Sequence, residues 1–290
     1  MHFQQLCFSC LVLSLVTLPV SAVPPSDYET RISTALAQRV PPGQTVWLRA
    51  AGSEFLCLYR EAGTEKARGA AIIVHGMGGH ADWPELIAPL RNRLPESGWA
   101  TLSLQMPVLP PGAPLADYGR TVKDSAYRIR AALQYLQDRG YINIISIGYG
   151  FGAAQIADYL AAGSDRRMGA FVGISMQSHE FLNPRLKLLN DLANIDKPIL
   201  DIYAGRDRGK VIRQADDRRL AGRKNGRHVY DQEMIVDADR FYTGMAQVIS
   251  ARISGWLEKT TPQLFVSVDS NTGKFYKPEN GEKAYERPNH

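Results

Sequence analysis

Ile144-Ile145-Ser146-Ile147-Gly148-Tyr149-Gly150-Phe151-Gly152 joins a β-branched apolar run to the first turn of a helical pattern. The run reads as a strand buried on both faces, and the three spaced glycines read as a sharp strand-to-helix elbow. Such an elbow holds its central residue in a sparsely populated backbone region and needs small flanks so that strand and helix can approach closely. Gly148 and Gly152 supply those flanks. Gly150, at the apex, can take a positive φ at little steric cost, but it brings no side chain to the bend.

Outward from the elbow, strand and helix patterns alternate. Upstream, Thr45 to Ala51 and Ser53 to Glu61 alternate polar with apolar residues around Gly52, which predicts a hairpin. Ala70 to Val74 is a continuous apolar run ending in His75-Gly76. Asp82-Trp83-Pro84 suggests a capped helix through Leu94, followed by a strand over Trp99 to Met106 and a helix over Ala116 to Asp138. Downstream come a helix over Phe151 to Ala162, a strand over Ala170 to Met176, and a helix over Pro184 to Leu192. A strand over Pro198 to Ala204, a helix over Val211 to Ala221, a strand over Met234 to Val236 and a helix over Met245 to Glu258 complete the series. This alternation predicts an α/β fold, a mostly parallel sheet of about eight strands with helices on both faces.

Four lines carry a family resemblance: His75-Gly76-Met77-Gly78-Gly79; Asp82-Trp83-Pro84; Gly98-Trp99-Ala100-Thr101-Leu102-Ser103-Leu104 with Pro107 after it; and Gly148-Tyr149-Gly150-Phe151-Gly152-Ala153. On these the segment from Ala70 to Leu257 resembles an α/β-hydrolase, and within that fold a bacterial exported family of unknown function. The resemblance implies an oxyanion-hole loop at His75, Gly76 and Met77, completed by the backbone of Phe151. It implies a serine at the elbow apex, where Gly150 stands. The acid position falls on Asp207, in Tyr203-Ala204-Gly205-Arg206-Asp207-Arg208. The base position falls on Arg240, in Val236-Asp237-Ala238-Asp239-Arg240-Phe241-Tyr242, and a guanidinium cannot accept a hydroxyl proton. The triad-equivalent set is therefore Gly150, Asp207 and Arg240, degenerate at two of its places.

The chain ends bound the rest. A hydrophobic run from Leu6 to Val20, followed by Ser21 and Ala22, reads as a signal peptide over residues 1–22, with no membrane span left after its cleavage. Cys7 and Cys10 would leave with it, and Cys57, in an alternating apolar pattern, reads as a buried core residue. Residues 23–262 form the hydrolase-like domain and 263–290 a polar, loosely ordered tail. With 290 residues, a net charge of +5 and a pI near 9.1, the chain lacks the basic block expected of a nucleic-acid binder. His75 and His80 do not share metal-ligand spacing with any cysteine or carboxylate cluster, so neither a metal nor a cofactor is expected.

Three functions compete. A non-catalytic, periplasmic pseudoenzyme would use the elbow amides and the Arg240 charge to bind a small anionic ligand, or would serve as a scaffold for an envelope partner. A hydrolase of esters or amides would need relocated residues, with Ser146, Ser175 and Ser178-His179 as the available substitutes. Gly148-x-Gly150-x-x-Ala153 also fits a dinucleotide-binding fingerprint, although several strands precede it and the next strand ends in Ser175-Met176-Gln177 rather than an acid.

Overall fold

The computed structural model describes residues 26–260, except 42, 65, 66, 164, 185 and 225–228, together with short strands at 267–268, 275–276 and 284–285. The leader assigned to residues 1–22 lies outside the described residues. Strands β1 (Thr45–Ala50), β2 (Ser53–Arg60), β3 (Gly69–Val74), β4 (Trp99–Leu104), β5 (Ile144–Tyr149), β6 (Met168–Ile174), β7 (Ile199–Arg206) and β8 (Tyr230–Asp239) form one eight-stranded sheet in the order β1-β2-β4-β3-β5-β6-β7-β8. The β1–β2 hairpin turns at Ala51 and Gly52, both at positive φ, which suits the right-handed twist of its strands. The hairpin joins the sheet by antiparallel pairing of β2 with β4, and every later pairing is parallel.

The period-2 alternation of the central strands divides the core into two layers. Ala70, Ile72 and Val74 of β3 face one side with Ile129, Leu133, Ile156 and Leu192. These four come from helices α3 (Val122–Asp138), α4 (Phe151–Ala161) and α5 (Leu188–Asn194). Ala71 and Ile73 face the other side with Leu90, Ile249, Ile253 and Leu257, from α2 (Ile87–Arg93) and α8 (Ala246–Thr260). Both faces of the parallel strands are thus covered, which is why β3 reads as an unbroken apolar run. The preceding α1 (Asp27–Arg39) packs Leu36 on Leu56 and Leu58 of β2.

Several boundaries differ from the sequence reading for local physical reasons. Asp82 does not cap a helix: it accepts from Arg91 Nη2 at 2.9 Å, and α2 starts at Ile87. The helix expected over Ala116 to Asp138 begins as a 3₁₀ turn over Leu115–Thr121. There Gly119 packs so closely that an added Cβ would lie 2.4 Å from the Asn183 carbonyl carbon. The helix expected over Pro184 to Leu192 starts instead at Leu188, and the one over Val211 to Ala221 is two helices, α6 (Gly209–Arg213) and α7 (Ala215–Arg223). The last strand is longer than Met234 to Val236, because β8 continues through polar residues of the sheet edge. Within the tail, β9 (Ser267–Val268), β10 (Phe275–Tyr276) and β11 (Ala284–Tyr285) pair antiparallel in a small separate sheet.

Candidate functional site

β5 stops at Tyr149 and α4 starts at Phe151, so Gly150 alone makes the bend, at φ 54° and ψ −111°. Its N–H donates to the Ile174 carbonyl at 2.8 Å, locking the turn to the end of β6. A Cβ at Gly152 would lie 2.4 Å from the His75 carbonyl oxygen, and one at Gly148 2.5 Å from the Ala153 Cα. Backbone contact therefore forces glycine at both flanks. At Gly150 an added Cβ would meet nothing within 4 Å. The apex has room for a side chain and carries none.

Above the elbow lies a cavity of about 460 Å³. Gly76, Met77, Gly150 and Phe151 form its floor, and Trp83, Tyr118, Tyr149, Phe181 and Phe241 wall it with aromatic rings. Gln177, His179 and Arg208 are the lining residues with polar side chains other than the two tyrosines. Among the described residues no serine, threonine, cysteine, aspartate or glutamate lines it. The tyrosine hydroxyls are poor nucleophiles. Burial pushes the Tyr149 phenol up to about 12, with Arg208 opposing, and the phenol donates to the Arg240 carbonyl at 2.7 Å. Burial also raises Tyr118, whose oxygen accepts from the Leu109 amide.

The three triad-equivalent positions gather around Tyr149, which feels the charges of Asp207 and Arg240. They do not form a relay. Asp207 follows β7, and its Oδ2 accepts from Ser175 Oγ and from the Ala204 amide, while Oδ1 accepts from the Arg208 amide. Ser175 Oγ also lies 2.8 Å from the Tyr242 hydroxyl. Asp207, Ser175 and Tyr242 thus tie together the loops that follow β7, β6 and β8. Ser175 and Tyr242 both sit at positive φ, 52° and 59°, and both are buried.

Arg240 occupies the turn after β8, as the sequence reading places it, but its side chain is exposed and stacks over Phe241, 4.3 Å from the ring centroid. The arginine among the lining residues is Arg208, itself exposed. His75 is likewise not a lining residue. It is 2 % exposed; its Nδ1–H donates to the Gly76 carbonyl, and its Nε2 accepts from the Met106 amide at 3.0 Å. It props the glycine loop from behind, with burial holding it down at about 4. Gly76, Met77 and Phe151 do reach the cavity.

His179 holds a place that sequence reasoning weighed only as a partner of Ser178. The two diverge, as adjacent residues of an extended segment do. Ser178 is anchored through its amide to Gln214 Oε1, whereas His179 packs its ring edge-on to Phe151 and Phe181. Burial, with Lys210 and Arg208, holds His179 down at about 4, so it is neutral at pH 7. Its Nδ1 is buried with no partner at full hydrogen-bond geometry among the described residues, while the Gln177 backbone acts on the ring. Among the described residues no group of three or more His, Cys, Asp or Glu is arranged to hold a metal ion.

With the elbow and its cavity described, the relatives can be set beside them. A family profile described as "Protein of unknown function (DUF3530)" matches residues 14–125 and 116–259, most of the chain. The chain belongs to the DUF3530 family. No curated protein matches it in sequence. In structure this DUF3530 protein is similar to Est1E from Butyrivibrio proteoclasticus, at 13% identity over 76% of this chain and 100% of that one, with a TM-score of 0.61. It is also similar to an alpha-beta serine hydrolase homologue from Coxiella burnetii, at 14% identity over 75% and 99% of the two chains and a TM-score of 0.59. The Pyrococcus furiosus esterase Pf2001 matches at 16% identity over 74% and 91%, with a TM-score of 0.60. At such identities the likeness establishes the fold, which is that of an α/β-hydrolase.

Proposed function

We propose that this DUF3530 protein is a non-catalytic α/β-hydrolase-fold protein that binds a ligand through the elbow cavity. One observation carries the reading. The elbow keeps its bent backbone and has open space for a side chain at Gly150, while among the described residues no hydroxyl other than tyrosine, no thiol and no carboxylate lines the cavity. Covalent hydrolysis needs an activated nucleophile and a base that receives its proton. Here the acid-position Asp207 serves Ser175 instead of an imidazole, and the base position carries Arg240. What remains is a concave, largely aromatic pocket of ligand size at the N-terminus of α4, whose first-turn amides have no partner within the helix.

The setting proposed for this binding is the cell envelope, the periplasm in particular. It rests on the apolar run from Leu6 to Val20 and the small residues after it. Among the described residues no helix is long and apolar enough to cross a membrane.

The Ser175–Asp207 hydrogen bond favours a second reading, an ester or amide hydrolase with a relocated nucleophile. Ser175, however, is 4 % exposed and absent from the cavity lining, and its hydroxyl is shared with a tyrosine rather than a histidine. The dinucleotide fingerprint receives no comparable support, since Gly148 is accounted for by its close contact with Ala153 and Gly150 by the positive-φ bend of the elbow. Turnover of short p-nitrophenyl esters at high protein concentration separates the first two readings. The binding reading expects the buffer rate, and turnover abolished by Ser175→Ala would establish the second.

A further inference from the structure

We infer that α1 is a strap that completes the elbow cavity: its seating orders the cavity's glycine loop and its Tyr118 wall, so that lifting α1 loosens the site. The inference rests on the binding reading above in treating the cavity as the working site, and it adds how that site is controlled.

The strap is fastened at its first turn, and by polar groups. Ser26, the N-cap of α1, donates from Oγ to the Val108 carbonyl at 2.9 Å, and the Val108 backbone also hydrogen-bonds the Glu29 carboxylate. Glu29 accepts from Arg128 Nη1 at 2.6 Å, and the same nitrogen donates to the Gln105 carbonyl at 2.6 Å. One turn of helix thus grips the segment after β4 at two places, Gln105 and Val108. Apolar anchorage is light, since Leu36 is the one buried hydrophobic side chain between Asp27 and Arg39.

The other side of that segment holds the cavity. The Met106 amide donates to His75 Nε2 at 3.0 Å, and the Nδ1–H of the same ring holds the Gly76 carbonyl. The Gln105 side chain accepts from the Ala81 amide at 3.1 Å, at the far end of the glycine loop. The Leu109 amide donates to the Tyr118 hydroxyl at 3.2 Å, and that hydroxyl also bonds the Gly78 backbone. Gly76, Met77, Gly78, Gly79 and Tyr118 all line the cavity. With three glycines in four residues, and Gly78 at φ 72°, the loop has little local stiffness and takes its shape from these external bonds.

Residues 105–109 therefore form a splint, with α1 on one side and the cavity on the other. Gln105, Met106 and Val108 are at most 1 % exposed, so a backbone group that loses its partner there must stay unpaired at a cost or move. Lifting α1 would leave the buried Arg128 with the Gln105 carbonyl and the Phe55 ring, 5.1 Å from its guanidinium, and no counter-charge. An uncompensated buried charge is expensive, which disfavours a half-seated helix and makes the strap close to two-state. By linkage, a ligand that settles the cavity walls must also hold α1 more tightly.

The test follows amide hydrogen exchange by mass spectrometry in the full chain, because local opening shows there segment by segment. Ser26→Ala and Glu29→Gln loosen the strap, and Trp256→Phe, which removes the bond to Asp231 on the opposite side of the sheet, is the control. In both strap variants, exchange over 76–81 and 105–118 should rise at least tenfold, with the strands at 144–149 and 199–204 unchanged. The control should leave 76–81 and 105–118 as they are. If Glu29→Gln fails to fold, the milder Ser26→Ala decides alone. Acceleration confined to residues 27–39, acceleration spread evenly over the central strands, or no acceleration in a folded strap variant would overturn the inference. None of these readouts involves a ligand or turnover, so their failure leaves the binding reading standing, and that reading falls instead if the protein turns over p-nitrophenyl esters.

Discussion

Gly150 is bent to φ 54°, a region in which an L-residue is strained, yet its surroundings leave a side chain free space. Gly150→Ser should therefore fold at a cost of about 1–2 kcal/mol, on the scale of other strained backbone positions. It should gain no ester turnover. Asp207 is already committed to Ser175, and His179, held at about 4, is a weak base at neutral pH. Gly152→Ala tests the other half of the turn. With a Cβ placed 2.4 Å from the His75 carbonyl oxygen, it should lower the urea midpoint well beyond Gly150→Ala, by roughly 3 kcal/mol or more against about 1. The three glycines and the missing serine were legible in the sequence because spacing alone specifies a tight elbow. Arg208 in place of Arg240 was not, since the two stand in different loops, after β7 and after β8, and position along the chain does not show which loop borders a cavity. His75 misled for a related reason: it sits beside the glycine loop in sequence but points behind it, into a cage of backbone hydrogen bonds.

Elements meet at the C-terminal edge of the sheet through one shared hydroxyl. Ser175 Oγ links Asp207 after β7 to Tyr242 after β8, and it does so from a positive-φ position at the end of β6. Ser175→Ala should leave Asp207 short of a donor and cost about 1–3 kcal/mol in urea unfolding, with ester hydrolysis still at the buffer rate. A relocated-nucleophile enzyme would instead lose its activity while remaining folded. On the opposite side, α1 is held by Glu29, which is bonded to Arg128 at 2.6 Å; both side chains are buried, and Arg128 also donates to the Gln105 carbonyl. Glu29→Gln would strand a buried guanidinium and should cost about 3–5 kcal/mol, measured in the same way. Strands with both faces buried, such as β3, declared themselves as apolar runs. The edge strand β8 did so only over its apolar centre, because Asp231, Gln232 and Glu233 belong to a strand with one neighbour and break the pattern. The 3₁₀ start before α3 was invisible for a different reason: the close approach of Gly119 to Asn183 joins segments far apart in the chain.

Across the whole molecule, buried titratable groups set the pH range of stability. Burial holds His75 and His179 at about 4, below the ordinary 6.5 of the unfolded chain. Between those values the unfolded chain binds more protons, so their contribution is complete above pH 6.5 and is lost as pH falls toward 4. Each is worth up to roughly 3 kcal/mol. Asp191 has the opposite sign. Burial, reinforced by Asp158, pushes it up to about 6, so between 3.8 and 6 the folded chain binds the extra proton and gains stability as pH falls. The urea midpoint is expected to drop from pH 7 to pH 5, and Asp191→Asn should raise it at pH 7 while steepening that drop. The fold itself, eight strands with helices on both faces, followed from alternation of patterns, whereas the binding we propose in place of hydrolysis rests on how three loops share their hydrogen bonds. The most direct test of that central claim is intact-mass spectrometry of the folded chain after prolonged exposure to an alkyl fluorophosphonate. The mass should remain unchanged; a stoichiometric adduct on any serine would contradict the account.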